Sequence, residues 1–462
     1  MATEPLHRPA LHRRQALALL AGTAGLGACA WLPAEAATAR AQGASARLAA
    51  AWDVQGRYFI GLLSAATPMA HPALKVHAAL EVPSRAHGVC PLGDGSVVAV
   101  ARRPGDWLVR WHPAQATPQW HWQTTDHRYP DRTFNGHVLS GLAGADGEHL
   151  YTTETDVETG ASVVGVRHAR TLEKLAEWPT HGIDAHELIW DLHSPGGPTL
   201  LVANGGVPTA PETGRSKRDL HRMDSSLVRL DATTGRLMGQ WRLQDPRLSL
   251  RHLAWGPDGK TLGIALQAEH DAPAERRAAP VHARFDGQTL YASAAQPAAE
   301  TRAAPPLQGY GGSIVTAPEG WAVSCTRAGC VAWFNLQGQL TTRMALSEVC
   351  ALASDPDAQS HTTLWAAGQS HSLRQNGEPL TVPPLRVAHE GKLQAARMDN
   401  HWVWAQGFEY KRPLALIQKA QAAMFLIANS LQAACAGGCR TACTRSCTNR
   451  SLTMAPADRA KG

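Results

Sequence analysis

Short apolar runs separated by turn residues make up the chain from residue 50 to residue 412. Almost no segment of this region shows the spacing of an amphipathic helix, and turns rich in Gly, Asp, Asn and Pro recur instead. Many short strands at regular spacing are typical of β-sandwiches, β-barrels and β-propellers. The pattern therefore predicts an all-β domain, and helical composition returns only at residues 417–431.

A repeated unit distinguishes between these architectures. Each copy has an apolar strand, a turn and a second apolar strand, and the seven turns, spaced 38 to 62 residues apart, lie at Asp94, Asp146, Gly196, Asp258, Glu319, Asp357 and Asn400. A four-stranded propeller blade takes about 40–50 residues, so the sequence predicts one seven-bladed β-propeller over residues 50–412. Outer hairpins are expected at residues 230–237 and 334–340, and residues 57–62 are expected to complete the seventh blade.

Four of the seven predicted first strands begin with a histidine. The first strand of each propeller blade lines the central channel, so imidazoles at equivalent positions are expected to converge near the axis. Converging imidazoles suit iron, copper or zinc, and a nearby carboxylate would complete the ligand set of a non-haem iron site. The predicted metal ligands are His87, His137, His186, His252 and Glu154.

A structural role for the same histidines is the alternative. Gly136-His137 matches the Gly-His pair that ties strands together within the blades of WD-type propellers. Arg85 and Arg251 also stand beside His87 and His252, and nearby positive charge disfavours a bound cation. A polar network at the channel mouth therefore stays open as an interpretation.

A long loop at residues 205–226 is a second candidate site. Its basic residues would suit an anionic ligand or an acidic partner, and a solvated loop is the alternative. Together with polar residues near the channel, it gives the predicted ligand-binding residues Arg85, Asn204, Arg251, Gln267, Arg215 and Lys217. No Gly-rich phosphate loop, nucleophile elbow or haem-attachment motif is present, so the sequence favours a binding protein over an enzyme.

Residues 1–36 have the features of an export signal. Arg13-Arg14 precedes a weakly apolar run of Ala, Gly and Leu, and Ala34-Glu35-Ala36 follows as a small-residue cleavage site. This arrangement predicts twin-arginine export to the periplasm. Leu26-Gly27-Ala28-Cys29 resembles a lipobox, so a lipoprotein anchored at Cys29 is the alternative. No later apolar run reaches the about 20 residues of a membrane-spanning helix.

The charge and the cysteine content bear on nucleic-acid binding, on disulfide bonds and on the role of the tail. The chain carries 44 Lys and Arg against 38 Asp and Glu, without the clustered basic face or motif of a nucleic-acid-binding protein. Cys325 and Cys330 flank a predicted turn and are candidates for a disulfide in an oxidising compartment. The tail, residues 413–462, is expected to be a helical or disordered extension. Its four cysteines recur every fourth residue, a pattern that suits either a soft metal or a segment with no role: Cys435, Cys439, Cys443 and Cys447.

Several blocks of the sequence resemble an exported bacterial family of propellers catalogued as domain of unknown function 1513. The resemblance spans about residues 56–407, with the blocks in the same order, and departs from the family pattern at Ala86, Ala185 and residues 348–351. The blocks are Ala101-Arg102-Arg103-Pro104-Gly105, Phe134-Asn135-Gly136-His137, Tyr151-Thr152-Thr153-Glu154, His181-Gly182-Ile183-Asp184-Ala185-His186-Glu187-Leu188, Val202-Ala203-Asn204-Gly205-Gly206, Arg251-His252-Leu253-Ala254 and Gly309-Tyr310-Gly311-Gly312-Ser313.

This resemblance implies an exported propeller similar to YVTN and quinoprotein-like propellers. It also implies partners among exported iron-uptake proteins, namely imelysin-like and di-haem proteins, which are commonly encoded nearby. We therefore expect a periplasmic, iron-handling binding or partner protein that uses the channel histidines. The alternatives are a ligand-free interaction scaffold and a propeller enzyme, either a metal-dependent lactonase or lyase or an oxidoreductase.

Overall fold

The structure is a computed structural model that describes residues 46–65, 74–142, 148–209, 217, 219–293, 305–354, 364–368, 372–375, 378–381, 386–389 and 392–405. The predicted export signal, Cys29, Arg215 and the tail from residue 413 lie outside these residues. None of the helices in the described part of the chain has the length and apolar character required to cross a membrane.

The strands form four-stranded antiparallel sheets arranged as a β-propeller. The first three strands are β1 (Ala46–Val54), β2 (Arg57–Ala65) and β3 (Leu74–Val82). Six blades of four consecutive strands follow. Blade 1 contains β4 (Ala86–Pro91), β5 (Val97–Ala101), β6 (Trp107–Trp111) and β7 (Gln119–Trp122). Blade 2 contains β8 (Arg132–Ser140), β9 (His149–Asp156), β10 (Ala161–His168) and β11 (Lys174–Ile183).

The later blades repeat the same order of strands. Blade 3 contains β12 (Ala185–Asp191), β13 (Thr199–Asn204), β14 (Ser226–Asp231) and β15 (Leu237–Trp241). Blade 4 contains β16 (Leu248–Trp255), β17 (Leu262–Ala268), β18 (His282–Phe285) and β19 (Leu290–Ala292), with helix α1 (Pro273–Ala278) between β17 and β18. Blade 5 contains β20 (Ser313–Ala317), β21 (Gly320–Cys325), β22 (Cys330–Asn335) and β23 (Leu340–Ala345). Blade 6 contains β24 (Val349–Ser354), β25 (Leu364–Gly368), β26 (Ser372–Gln375) and β27 (Glu378–Thr381).

The two ends of the described chain share one further sheet. After the hairpin β28 (Arg386–His389) and β29 (Lys392–Ala395), strand β30 (Arg397–Trp404) pairs with β1, and the sheet order is β30-β1-β2-β3. We call this the closing sheet. Its inner strand comes from the end of the chain and its three outer strands from the beginning.

The closing sheet corrects one prediction from the sequence. The prediction of seven blades built from seven repeat units is wrong. The structure has six blades of four consecutive strands, and residues 397–404, where the seventh unit and its turn at Asn400 were expected, form one continuous strand. Residues 57–62 do join this sheet, but as part of its third strand, with β3 outside them. The physical cause is a register shift of β30 against β1 between Met398 and Trp402. The shift interrupts the two-residue alternation, so one strand reads as two shorter ones.

Apolar side chains fill the space between neighbouring sheets and join them into a ring. The inner strands contact one another in the order β4, β8, β12, β16, β20, β24, β30 and back to β4. An apolar cluster lies between each sheet and the next. Tryptophans tie several blades together as well, because indole nitrogens of Trp255 and Trp321 donate to backbone carbonyls of the preceding blade. The core is therefore annular, and its inner strands surround a channel.

The outer hairpins predicted from turn residues are confirmed. Strands β14 and β15 pair antiparallel across residues 231–236, where Asp231 accepts hydrogen bonds from two backbone N–H groups and Gly235 has a φ of 70°. Strands β22 and β23 pair in the same way, with Gly338 at a φ of 77°. A positive φ suits glycine because it lacks a Cβ atom.

Candidate metal centre in the central channel

Five histidine side chains meet inside the ring. They come from five neighbouring inner strands: His401 on β30, His87 on β4, His137 on β8, His186 on β12 and His252 on β16. The ring centroids of His87 and His401, and of His252 and His401, are 4.5 Å apart. Those of His137 and His186, and of His186 and His252, are 4.6 Å apart. The structure thus brings together the four histidines predicted from the sequence and adds His401.

Each of these histidines lies where its inner strand carries an irregularity. A β-bulge turns a side chain away from the direction that regular alternation would give it. The five histidines lie within the register shifts at residues 86–89, 134–138, 185–188, 250–253 and 398–402. In β24 the equivalent shift carries Cys350, whereas β20 pairs with β21 without a shift. The irregular positions of the inner strands therefore define the centre.

The ring nitrogens lie close enough together to converge on one metal ion. The Nε2 atoms of His87 and His401 are 3.3 Å apart, and those of His186 and His252 are 3.2 Å apart. One ring nitrogen from each of His87, His137, His252 and His401 lies within 4.8 Å of the other three. Four nitrogens bound to a tetrahedral zinc ion at about 2.0–2.1 Å are about 3.3 Å apart. Nitrogens up to 4.8 Å apart must therefore move closer together to bind one ion in this geometry.

Burial keeps these imidazoles uncharged. The residues His87, His137, His186 and His252 are only 3 to 7 % exposed. Burial, reinforced by neighbouring positive groups, lowers the pKa of all five histidines well below the usual value, and that of His252 to about 3. A neutral imidazole keeps a lone pair, and this is the form that binds metals.

The hydrogen-bonding state of the histidines argues against the WD-type alternative. Among the described residues, no hydrogen-bond partner exists for the buried Nε2 of His137, nor for the buried Nδ1 atoms of His87, His186 and His252. Buried polar atoms are normally paired. His137 therefore does not make the strand-tying bond expected of a structural Gly-His pair through Nε2, and this nitrogen is available to a metal ion.

Two carboxylates lie close to the Nδ1 atoms of three of the histidines. The Oε1 atom of Glu187 lies 3.7 Å from Nδ1 of His137, and its Oε2 atom lies 3.4 Å from Nδ1 of His252. The Oδ1 atom of Asp399 lies 4.0 Å from Nδ1 of His87. Burial raises the pKa of Glu187, although His137 and a backbone N–H oppose this effect. The histidines thus have negative groups on the side away from the cluster.

The arginines near the centre are matched by acidic groups. The Nη2 atom of Arg85 lies 3.1 Å from Oδ1 of Asp399. The Nη1 atom of Arg251 lies 2.9 Å from Oδ2 of Asp184, which also pairs with Arg103. Their positive charge, which argued against a cation in the sequence, is therefore offset locally.

The structure places Glu154 outside the histidine cluster. Its carboxylate is fully buried in blade 2, 2.8 Å from Nη2 of Arg167 and 2.6 Å from Nζ of Lys174. It also accepts hydrogen bonds from Thr152 and Gln123. With both oxygens occupied in this way, Glu154 contributes to the interior of its blade rather than to the metal centre.

The predicted ligand-binding residues are not gathered around one described cavity. Asn204 donates hydrogen bonds to the Thr180 carbonyl and to Ser226, and Gln267 donates one to the Gly311 carbonyl. Lys217 pairs with Glu269. Arg85 and Arg251 have the carboxylate partners given above, and Arg215 lies outside the described residues. The residues that the structure describes are thus engaged by the protein itself.

Sequence reasoning missed His401, Glu187 and Asp399. One signal could have found His401, because three of the five histidines follow an Asp or Asn by two residues. These triplets are Asn135-Gly136-His137, Asp184-Ala185-His186 and Asp399-Asn400-His401. No comparable pattern marks Glu187, whose position depends on which way β12 turns at its bulge.

Comparisons with known proteins identify a family and give no activity. The family profile described as "Protein of unknown function (DUF1513)" matches residues 80–405. No curated protein matches the chain. Among solved structures, hydrazine synthase from Kuenenia stuttgartiensis matches with a TM-score of 0.47 at 14% identity, covering 68% of this chain and 89% of that chain. Sqt1 from Saccharomyces cerevisiae matches with a TM-score of 0.40 at 10% identity, covering 68% and 79%.

Proposed function

This chain belongs to the DUF1513 family, and we propose that it is a metal-binding protein that holds one transition-metal ion in its channel through His87, His137, His252 and His401. The observation that carries the proposal is the approach of one ring nitrogen from each of these residues to within 4.8 Å of the others. His186, 3.2 Å from His252, is a neighbour of the same centre.

The donor set suits a limited range of metals. Imidazole nitrogen suits zinc, copper, iron and nickel, whereas magnesium and calcium prefer oxygen ligands. Iron is the metal that we propose for the cellular role, on the strength of the sequence resemblance to a family encoded near iron-uptake proteins. Imelysin-like and di-haem proteins are the partners that this role would have.

The test is a titration of the full-length protein, purified without a metal-binding tag, with Co²⁺. Because the tail has its own cysteines, the same titration is made on a variant in which Cys435, Cys439, Cys443 and Cys447 are serine. We expect the cysteine variant to bind one equivalent with visible d–d absorption and without near-ultraviolet thiolate-to-metal absorption, so that any further equivalent bound by the unaltered protein belongs to the tail. Loss of all Co²⁺ binding in the cysteine variant, or none in either protein, would contradict the proposal and favour a scaffold.

Export to the periplasm is part of the proposed role and is supported by the sequence of residues 1–36. Replacing Arg13 and Arg14 together with lysine is expected to block twin-arginine transport, because the pair is what the transport system reads. Fractionation of expressing cells measures this, with a Cys29→Ser variant as the comparison. Unchanged export of the double lysine variant would overturn the twin-arginine route, and release of the Cys29→Ser variant from membranes would instead favour the lipoprotein.

A further inference from the structure

We propose that Glu187 is a positioning residue that fixes the tautomers of two metal ligands, His137 and His252, at once. This inference rests on the metal centre proposed above and assigns a role to a carboxylate that is not itself among the four ligands. Glu187 lies on β12, between the strands β8 and β16 that carry the two histidines. Its two oxygen atoms are therefore directed to opposite neighbours.

The contacts of Glu187 are divided between its two oxygens. Oε1 faces Nδ1 of His137 at 3.7 Å, and Oε2 faces Nδ1 of His252 at 3.4 Å, both as charge contacts rather than hydrogen bonds in the metal-free protein. Oε2 is also held by the backbone N–H of Leu253 at 2.6 Å, the residue directly after His252. The Leu253 N–H therefore anchors one end of the carboxylate, and the other end is left for His137.

A carboxylate in this position determines which nitrogen of each imidazole carries the proton. An ionised carboxylate only accepts hydrogen bonds and repels a lone pair, so it favours the tautomer in which each Nδ1 that faces it is protonated. The Nε2 atom then carries the lone pair, which is the form in which it can bind a metal. Metal-bound histidines commonly donate their other ring N–H to a carboxylate or carbonyl in this way, and loss of that partner typically lowers metal affinity about 10–100-fold.

The contacts of the other three histidines show that sharing one carboxylate between two rings is not a general property of the cluster. Nδ1 of His87 lies 4.0 Å from Asp399, a carboxylate that also pairs with Arg85. No ion pair with a carboxylate is recorded for His186 or His401 among the described residues. Glu187 is thus the carboxylate of this centre that serves two histidines, and its removal affects two ligands together.

The substitution Glu187→Gln distinguishes control of the histidine tautomers from simple packing of the side chain. In Glu187→Gln the amide has nearly the same shape, but only its oxygen accepts. That oxygen is expected to stay with the Leu253 N–H and His252, which turns the amide NH₂ toward Nδ1 of His137. Nδ1 of His137 must then accept, its proton moves to Nε2, and this nitrogen can no longer bind the metal.

The experiment compares Glu187→Gln, Glu187→Ala and the unaltered full-length protein. Metal affinity is measured by competition with a chromophoric chelator, the Co²⁺ spectrum reports the geometry of the centre, and thermal unfolding without metal reports folding. We expect Glu187→Gln to lose about 10–100-fold in affinity, at least as much as Glu187→Ala, with a changed Co²⁺ spectrum. Glu269→Gln, which alters a buried carboxylate paired with Lys217 rather than with a histidine, is the control and should bind metal normally.

A double variant strengthens the assignment. In a His137→Gln background, Glu187→Gln should have a smaller effect on the remaining affinity, because the histidine that it disables is already absent. If Glu187→Gln binds metal like the unaltered protein and only Glu187→Ala is weakened, Glu187 fills space and the inference is wrong. If the unaltered protein binds no metal, the proposed function itself fails, which is a distinct result.

Discussion

Replacing His137 with alanine is expected to remove the bound metal ion while leaving the propeller folded. The His137 ring lies 4.6 to 5.2 Å from the ring centroids of the other four histidines, so no other single change opens the cluster more directly. Its buried Nε2 has no hydrogen-bond partner among the described residues, and its Nδ1 makes only the 3.7 Å charge contact with Glu187, so removing the ring breaks no hydrogen bond of the metal-free protein. The three remaining ligands should bind more weakly, so elemental analysis of the protein as purified should fall from one metal ion per chain toward background.

Thermal unfolding supplies a second measurement of the same change. A metal that binds only the folded state raises the unfolding temperature of the unaltered protein, and this rise should disappear in His137→Ala. The control is His282→Ala, which removes a buried histidine of blade 4 that is hydrogen-bonded to Ser293 at 2.6 Å and stacked on Phe334. That variant should be less stable and keep its metal. Full metal content in His137→Ala, or equal loss in both variants, would show that the histidines are structural.

The parts of the fold that depend on local sequence could be predicted. Turn residues with a required backbone geometry, such as Gly235, located the hairpins, and the apolar runs beside them located the strands. The closing sheet was located only in part. Residues 57–62 were expected to join it, but its strand order could not be predicted, because it pairs strands that are more than 300 residues apart in the sequence, such as residues 48 and 404. Only the completed ring brings them together.

The residues of the proposed metal centre could likewise be predicted only where the local sequence marks them. His87, His137, His186 and His252 were found because each lies a few residues before a recognisable turn. His401 was missed because the bulge in β30 hides the start of that strand. Glu154 was proposed as a ligand from its distance along the chain, but the cations that occupy it come from neighbouring strands, Arg167 on β10 and Lys174 on β11. Which side chains meet across strands depends on register, and a single sequence does not show register.

Changing Glu154 to glutamine is expected to destabilise the propeller strongly without affecting its metal content. The side chains of Glu154 and Arg167 are fully buried, and that of Lys174 is 1 % exposed. Removing one member of a buried ion pair leaves an uncompensated charge and costs about 3–5 kcal/mol. Here two cations lose their shared carboxylate. Urea unfolding of the metal-free protein measures this cost, and elemental analysis of the loaded protein tests the predicted role of Glu154 as a ligand.

The stabilising effect of Glu154 is expected to depend on pH. Burial opposes ionisation of Glu154, but Arg167 and Lys174 outweigh it and lower its pKa to about 2, whereas an unfolded glutamate has a pKa of about 4.3. Because the folded pKa is the lower one, ionised Glu154 stabilises the folded state above about pH 4.3, and this contribution is lost as the pH falls toward 2. The difference in stability between the unaltered protein and Glu154→Gln should therefore shrink over that range.

An exposed ion pair provides the matched control for Glu154. Glu81 pairs with Arg57 at the surface, where the two side chains are 48 % and 37 % exposed, and such pairs contribute only about 0–1 kcal/mol because water and salt screen them. Glu81→Gln should therefore leave the urea midpoint nearly unchanged. Equal midpoints for Glu154→Gln and Glu81→Gln would show that the buried network contributes no more than a surface pair. Loss of metal in Glu154→Gln alone would restore Glu154 as a ligand, and the structure argues against this because two cations already occupy its oxygens.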